Sequence, residues 1–367
     1  HFSIYDCERS IPNLMDGLKT SLRKILYSAF KKNLTTEIKV AQFSGYVSEH
    51  SGYHHGEASL NGAIVGMAQD YVGSNNINLL MPNGQFGTRL QGGKDSASER
   101  YIFTQLNKVT RYIYRKEDDP VLEYLEDDGY PVEPRYYVPI VPMILVNGGK
   151  GIGTGFSTDI LSYNIDTLIE ILKSKLILTS SENNNEITPF YKNFEGSCEK
   201  IDDKKYIVKG VYEKITDKKI KITELPIGYW TDDFKQHIEN LIEGDKNKKQ
   251  KSFIKDYNDM STDTVVDFEI ILNESIDETS NKDSNNMYNN FEKTMKLYST
   301  LSTNNMHLFN NEEKLTKYSD VREIIDSYFP VRLEYYQKRK DYQISFLEKE
   351  MMLLSNKVSY IQENLNG

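Results

Sequence analysis

The chain has 367 residues, which is enough for two or three domains. Its 38% hydrophobic and 27% charged residues are typical of a globular protein, and no apolar run is long enough to span a membrane. Its two cysteines, Cys7 and Cys198, lie far apart and indicate neither a disulfide framework nor a zinc site, which favours an intracellular location.

The net charge of −9 by itself disfavours a nucleic-acid binder, but the charges are unevenly distributed. Acidic residues concentrate after residue 116, at Glu117-Asp118-Asp119, at Glu126-Asp127-Asp128 and from Asp256 to Asp283. Cations concentrate before that point, at Arg9, Lys19, Arg23, Lys24, Lys31, Lys32, Lys39, Arg89, Lys94 and Arg100. A basic first region on an acidic body predicts a confined surface for nucleic acid.

The basic region is predicted to contain short helices. Ser10-Ile11-Pro12 is expected to start one, and leucines at four-residue spacing predict a helix from Lys19 to Lys32. A second helical pattern runs from Ile38 to His50, and a third runs from the end of Tyr53-His54-His55-Gly56-Glu57 to about Val72. Three short helices beside basic residues are typical of a helix-turn-helix or winged-helix unit. An ordinary three-helix cluster is the alternative.

A loop rich in glycine and small polar residues follows, from Gly84 to Arg100, and a helix is expected from Tyr101 to Ile113. A tyrosine hydroxyl, with an ordinary pKa near 10, needs assistance to act as a nucleophile at pH 7. The neighbouring Arg100 would favour the phenolate and stabilise charge on a phosphate oxygen. The alternative is a surface tyrosine that caps a helix.

The middle of the chain is predicted to hold a solvated loop or helix at the acidic Glu117 to Asp128, and a buried strand at Val138 to Val146. The glycines around Lys94 and from Gly149 to Gly155 match neither a P-loop nor a dinucleotide-binding motif. Ile152 stands between two of these glycines. It suits a wedge between base steps, although a tight turn with a buried isoleucine is the alternative.

The second half is predicted to be a separate α+β domain followed by a coiled coil. We expect helices at 165–178 and 229–242, strands at 206–214, 219–223 and 265–272, an exposed loop at 179–186 and a mobile loop at 273–290. A heptad seam closes the chain, with apolar residues at Ile344, Leu347, Met351, Leu354, Val358, Ile361 and Leu365.

No metal site is predicted in the chain. The adjacent His54 and His55 lack the spacing of a zinc site, and such a pair is either structural or able to donate hydrogen bonds to a phosphate. The acidic clusters lie in polar surroundings and do not resemble a magnesium site.

Taken in order, these motifs resemble the breakage-reunion region of the type IIA DNA topoisomerases. The lead-in Lys94-Asp95-Ser96-Ala97-Ser98 is similar to the eukaryotic type, which large DNA viruses also carry, and differs from that of bacterial gyrase or topoisomerase IV. The other matching segments are Glu8-Arg9-Ser10-Ile11-Pro12, Asp16-Gly17-Leu18-Lys19, Arg23-Lys24, Lys39-Val40-Ala41-Gln42, Tyr53-His54-His55-Gly56-Glu57, Gly73-Ser74-Asn75-Asn76, Gly84 to Arg89, Arg100-Tyr101-Ile102-Phe103, Gly151-Ile152-Gly153-Thr154-Gly155 and Glu224-Leu225-Pro226.

The resemblance implies a role for each candidate residue. Tyr101 would be the nucleophile that forms a 5′-phosphotyrosyl link, Arg100 would steady the scissile phosphate, and Ile152 would be the wedge that bends DNA. The implied DNA contacts are Arg9, Lys19, Arg23, Lys24, His54, His55, Gln85, Arg89 and Lys94. Two departures stand out: Thr20-Ser21-Leu22 replaces a usual Pro-Gly/Ser-Gln, and Glu99 replaces a usual proline.

The resemblance also implies the architecture and the partners. Residues 1–156 would form a winged-helix domain, 157–330 an α/β tower domain, and 331–367 the coiled-coil helix leading to the exit gate. Mg²⁺ would bind a TOPRIM domain and ATP an ATPase domain, both outside this chain. The partners would be double-stranded DNA, a second copy and the TOPRIM/ATPase region of the same or a companion chain.

The implied location is the nucleus, or the replication site of a virus. Because the first residue is His1 and the last residues lie in a helical pattern, we expect a fragment of a longer protein. The competing hypothesis is a non-catalytic DNA-binding or scaffold module with the same winged helix and coiled coil.

Overall fold

A computed structural model describes residues 2–177, 186–244, 252–276 and 287–366. The first elements are α1 (Phe2–Ser10), α2 (Thr20–Lys32), strand β1 (Ile38–Lys39), α3 (Val40–Ser51) and α4 (Glu57–Ala68). The three helices predicted at 19–32, at 38–50 and after Glu57 are confirmed. The prediction that Ser10 starts a helix was wrong, because Ser10 is the last residue of α1. The following Pro12 disfavours helical backbone at Ile11 and ends the helix.

Helices α2, α3 and α4 pack around one interior. Ile25 and Leu26 of α2, Phe43 of α3 and Ile64 of α4 are fully buried. Spacings of three and four residues place these side chains on one face of each helix, so that burial of the apolar stripes drives the packing. The basic residues between them remain on the outer faces, apart from those that form the buried ion pairs described below.

No helix begins at Tyr101, contrary to the sequence prediction. Phe103–Thr104 form strand β2, which pairs antiparallel with β1, and helix α5 covers only Thr110–Ile113. The amide of Leu106 donates to the carbonyl oxygen of Leu34 at 2.8 Å. Backbone pairing with residues distant in sequence therefore determines the conformation of this segment, and local periodicity does not.

The acidic segment, expected to be a solvated loop or helix, forms a short helix and one strand of a hairpin. Lys116–Val121 form a 3₁₀ helix, and β3 (Tyr124–Asp127) pairs with β4 (Tyr130–Pro134). Within the segment Asp118 is only 3% exposed. It is therefore not part of a solvated face.

The run from Val138 to Val146 is buried except at Ile140, but it is not the predicted strand. Its last residues belong to helix α6 (Met143–Asn147), and residues 138–142 have no regular structure. Pro139 and Pro142 lack the backbone donors that a central strand needs, which explains the difference.

A hairpin follows, formed by β5 (Gly149–Gly153) and β6 (Phe156–Ile160), and then helix α7 (Ile165–Ile177). The helix predicted near residue 165 is confirmed. The predicted loop at 179–186 lies outside the described residues except for Glu186, and the predicted mobile loop at 273–290 lies largely outside them.

Small antiparallel sheets and two helices fill the described residues between α7 and the terminal helix. The elements are β7 (Ser197–Asp202), β8 (Lys205–Lys209), β9 (Val211–Thr216), β10 (Lys219–Glu224), α8 (Thr231–Glu243), β11 (Ile254–Asp259), β12 (Phe268–Leu272), α9 (Asn290–Thr294), β13 (Tyr298–Ser302), β14 (His307–Phe309) and β15 (Leu315–Lys317). The strand orders are β11-β12-β10-β9, β13-β8-β7 and β14-β15. The single strand predicted at 206–214 is therefore two strands, which belong to different sheets.

Two hydrophobic cores organise the described residues. The larger core joins the first helices to later residues such as Leu168, Leu308 and Tyr328. The smaller core lies between α8 and the four-stranded sheet and contains Phe234 and Phe268. The larger core contains residues from both sides of position 156. The domain boundaries at residues 156 and 330 therefore stay a prediction.

The last element is a 46-residue helix, α10 (Val321–Asn366). It confirms the predicted terminal helix but begins ten residues before residue 331. One face of its first turns is buried, whereas the heptad residues Leu347, Met351 and Leu354 are 60–68% exposed. No described helix is long and apolar enough to cross a membrane.

Candidate functional site

Tyr101 lies at the surface, in a turn directly before β2, and is 76% exposed. Its backbone amide donates to the carbonyl oxygen of Ser98 at 2.9 Å. The phenol is therefore accessible to a large substrate, while the backbone that carries it is held in a defined turn.

The start of α3 fixes this turn on both sides of the tyrosine. The amide of Ala41 donates to the carbonyl oxygen of Glu99 at 3.1 Å, and the amide of Val40 donates to that of Ile102 at 3.0 Å. Unpaired amides at a helix N-terminus are available for such bonds. The nucleophile candidate is thus attached to a packed helix, which restricts its position.

The same pairing brings Lys39 to the site, because Lys39 lies opposite Phe103 in the β1–β2 ladder. Lys39 is exposed and immediately precedes α3. By sequence, Lys39 is one of the cations of the first region and is not among the predicted site residues. The signal that could have identified it is the segment Lys39-Val40-Ala41-Gln42, which matched the family motif.

The glycine-rich loop is internally hydrogen-bonded. Asp95 accepts a hydrogen bond from the Thr88 amide at 2.8 Å, and the Ala97 amide donates to the Gln85 carbonyl oxygen at 2.9 Å. Gly87 has a φ of 97°, and a Cβ there would overlap the backbone of Gly93. The glycines therefore allow the two halves of the loop backbone to approach each other closely.

Two of the predicted cations project from this loop, and both Lys94 and Arg100 are exposed. The Gln85 side chain instead accepts from the Gly87 amide at 3.0 Å, and its exposed face remains available. Glu99 is half-buried and accepts from the Ser98 hydroxyl at 3.3 Å. The structure thus gathers Gln85, Lys94, Arg100 and Tyr101 on one loop.

Two of the predicted DNA contacts have buried guanidinium groups that are already paired with carboxylates. Arg23 forms two bonds to Asp16, at 2.6 and 3.1 Å, and is 7% exposed. Arg89, also 7% exposed, pairs with Glu224 of β10. The sequence could not reveal either partner, because ion-pair partners are set by the tertiary fold.

A second group of predicted residues lines one cleft between α1, α2 and the segment before α4. Arg9, Lys24, His54 and His55 all contribute to it. Arg9 and His54 are exposed, whereas Lys24 is mostly enclosed and donates to Glu133 at 2.8 Å. The cleft brings together cations from three separate segments of the chain.

His55 lies in this cleft with its Nε2 atom 2.9 Å from the Tyr5 hydroxyl. Burial lowers the pKa of His55 below its usual value, and the nearby Arg9, His54 and Lys24 lower that pKa further. The imidazole is therefore neutral at pH 7 and is able both to donate and to accept a hydrogen bond.

Lys19 is half-buried directly before α2, and burial lowers its pKa. An anion would remove this desolvation cost by pairing with the ammonium group. Lys19 therefore remains a candidate phosphate contact.

Ile152 is 85% exposed on β5, opposite Ser157. The tip of its hairpin is fixed to α1, since Asp6 accepts from the Thr154 amide at 2.7 Å and from its hydroxyl at 2.8 Å. A Cβ at Gly151 would overlap the carbonyl group of Ser10. The glycines thus let the hairpin pack on α1 while the isoleucine points outward.

Within the described residues, no group of three or more His, Cys, Asp or Glu side chains could hold a metal ion. The described surroundings of Tyr101 thus contain no such cluster.

The chain matches known proteins over nearly its whole length. A family model for the A-type subunit of DNA gyrase/topoisomerase IV matches residues 9–367. DNA topoisomerase 2 of Arabidopsis thaliana is 46% identical over 370 residues, which cover all of this chain and 24% of the relative. DNA topoisomerase 2 of Saccharomyces cerevisiae is 45% identical over 361 residues, covering 98% of this chain and 24% of the relative.

A solved structure has the same fold. The crystal structure of the Plasmodium falciparum topoisomerase II DNA-binding, cleavage and re-ligation domain is 45% identical, with a TM-score of 0.88, over 95% of this chain and 46% of that one. The fold and the matches define the class as DNA topoisomerase. The chain belongs to the type II family and corresponds to its breakage-reunion region. It spans about a quarter of the length of the curated relatives.

Proposed function

We propose that this chain is the DNA cleavage and re-ligation part of a type II topoisomerase, with Tyr101 as the nucleophile. The observation that carries the proposal is the exposed Tyr101 beside Arg100 on a turn fixed to α3. The phenolic oxygen attacks a DNA phosphorus, the P–O3′ bond breaks, and the 3′-hydroxyl leaves with a proton. The product is a 5′-phosphotyrosyl link, and the reverse attack by the 3′-hydroxyl reseals the strand.

Exposed cations support this chemistry electrostatically. Arg100 adjoins the nucleophile, and Lys39 and Lys94 lie on the β1–β2 ladder and the glycine-rich loop that hold it. Their positive charges favour the phenolate and offset the charge that builds up on the phosphate oxygens during attack. Catalysis in this account therefore consists mainly of positioning and charge stabilisation.

The DNA surface extends from this loop to the cleft and the hairpin. Lys19, Lys24, Arg9, His54 and His55 would contact phosphates, with Gln85 alongside the nucleophile. Ile152 would enter between base steps and bend the duplex. Arg23 and Arg89 are excluded from this surface by their buried ion pairs.

The architecture proposed for this function has residues 1–156 as a winged-helix domain, 157–330 as the tower and 331–367 as the coiled coil. Two copies would cut opposite strands of one duplex, pass a second duplex and reseal the first, in the nucleus or at a viral replication site. The family generally uses Mg²⁺ and ATP. Both would be bound by TOPRIM and ATPase regions of the same or a companion chain.

The test compares two tyrosine variants in the presence of a TOPRIM half, Mg²⁺ and DNA. Tyr101→Phe should abolish covalent protein–DNA adducts, because it lacks the attacking oxygen. Tyr112→Phe, a matched change at a tyrosine that is 66% exposed, should form adducts as the unmodified chain does. If the unmodified chain binds DNA in a salt-dependent way but forms no adduct with any TOPRIM half that is added, the non-catalytic scaffold is favoured instead.

A further inference from the structure

The glycine-rich loop that leads to Tyr101 is held from its far side by residues 224–232, which we call the tower contact segment. Arg89, at the start of the loop, forms its ion pair with Glu224, although 135 positions separate them. Resting on the cleavage function proposed above, we infer that Glu224 is a positioning residue for the Tyr101 nucleophile.

The Glu224 carboxylate is almost completely buried and fully hydrogen-bonded. It is 1% exposed, and besides Arg89 it accepts from the Leu225 amide at 2.8 Å and the Glu195 amide at 3.2 Å. Four donors fix the carboxylate in one orientation, and the planar guanidinium of Arg89 is fixed with it. Neither side chain is placed to contact DNA, so their role is structural alignment.

A second set of contacts on the same segment supports this alignment. The amides of Thr231 and Asp232 donate to the carbonyl oxygens of Arg89 and Leu90 at 3.3 and 3.0 Å. The indole of Trp230 lies so close to Gly92 that any Cβ there would overlap it. The loop is therefore fixed by its backbone as well as by the ion pair.

Short hydrogen-bonded steps connect Arg89 to the nucleophile. Thr88 is bonded to Asp95, and the Ala97 amide is bonded to the carbonyl oxygen of Gln85. The turn from Ser98 to Tyr101 follows directly. A displacement at Arg89 would thus shift the phenol relative to the phosphate, and a misplacement of about 1 Å at a reacting group can lower the rate about 100-fold.

The experiment uses Glu224→Gln, which keeps the shape of the side chain and removes its charge, with a TOPRIM half present. We expect the single-turnover rate of adduct formation to fall about 10- to 100-fold. DNA affinity should change by less than about twofold, because that affinity depends on exposed cations. Hydrogen exchange of the amides in residues 88–101 should accelerate.

The matched control is Glu292→Gln, which weakens the mostly buried pair with Lys209 at 3.2 Å in the same tower and does not touch the loop. It reports general destabilisation, so its adduct rate should stay at the level of the unmodified chain below its unfolding temperature. Arg89→Lys keeps a positive charge beside the carboxylate but loses the planar fork, so it should also slow adduct formation.

Equal adduct rates for Glu224→Gln and Glu292→Gln would overturn the inference. If Glu224→Gln does not fold, Trp230→Leu tests the same alignment, with the same slower adduct formation expected and an unchanged rate contradicting it. If the unmodified chain forms no adduct, the proposed function fails. In that case hydrogen exchange of the amides in residues 88–101 of Glu224→Gln tests the positioning role by itself. Exchange as slow as in the unmodified chain would overturn that role.

Discussion

Arg23 points its guanidinium at Asp16, with Nε 2.6 Å from Oδ2, and both side chains are buried beneath α2. Asp16 also accepts hydrogen bonds from the amides of Leu18 at 2.9 Å and Tyr137 at 3.0 Å. This arrangement ties the turn before α2 to the segment after β4. A basic residue that looks suited to DNA by sequence is thus part of the interior.

Replacing Arg23 should therefore reduce stability and not DNA contact. Arg23→Met leaves Asp16 buried without its cation, and losing one partner of a buried pair costs about 3–5 kcal/mol. Urea denaturation measures this cost. Unchanged stability together with weakened DNA binding would contradict the structural role.

Lys94 should behave in the opposite way, because it is exposed on the glycine-rich loop. Lys94→Gln should weaken DNA binding and reduce the slope of log affinity against log salt by about one, while the unfolding midpoint stays the same. Binding titrations at several salt concentrations check this. A slope equal to that of the unmodified chain would remove Lys94 from the DNA surface.

Ile152→Ala should change DNA shape more than protein stability. Since the side chain is 85% exposed, its loss should alter unfolding free energy by no more than about 0.5 kcal/mol. Bending of bound duplex, measured by energy transfer between dyes at its ends, should decrease. Val265→Ala, a matched change at a residue 53% exposed far along the chain, should leave the bend intact. An unaltered bend in Ile152→Ala would exclude the wedge.

The titration of His55 should occur below the ordinary histidine value of about 6.5 in the absence of DNA. Burial is the main cause of this lowered pKa, and Arg9 adds to it by repelling the imidazolium. Because the unfolded chain binds this proton more readily, the contribution of His55 to stability is present above about pH 6.5 and is lost as pH falls below it. NMR titration should show a low midpoint that rises in Arg9→Ala. A midpoint at or above 6.5 would contradict the cleft geometry.

The helices α2, α3, α4, α7 and α8 could be predicted from the sequence, because each buries an apolar stripe that local spacing reveals. The segment after Tyr101 could not, since pairing with Ile38 and Lys39 fixes it. The apolar run before Gly148 was misassigned for a related reason. Burial was evident from its residues, but the prolines and distant partners decided its backbone.

The candidate site likewise has residues that local sequence could predict and residues whose role only the tertiary fold decides. Tyr101, Arg100, Lys94 and Ile152 are exposed, as local context suggested. Charge alone could not separate Arg89 from Lys94, five positions apart, because only the fold brings Glu224 to one of them. Cations near a nucleophile can serve DNA or the interior, and burial distinguishes the two.

The central claim is that the Tyr101 oxygen carries the broken strand. The most direct measurement traps the covalent complex formed with a TOPRIM half, digests the protein and locates the attached nucleotide by mass spectrometry. The account predicts a single modified peptide, with the 5′-phosphate of the DNA on Tyr101. A nucleotide attached to any other residue, or linked through its 3′-phosphate, would contradict it.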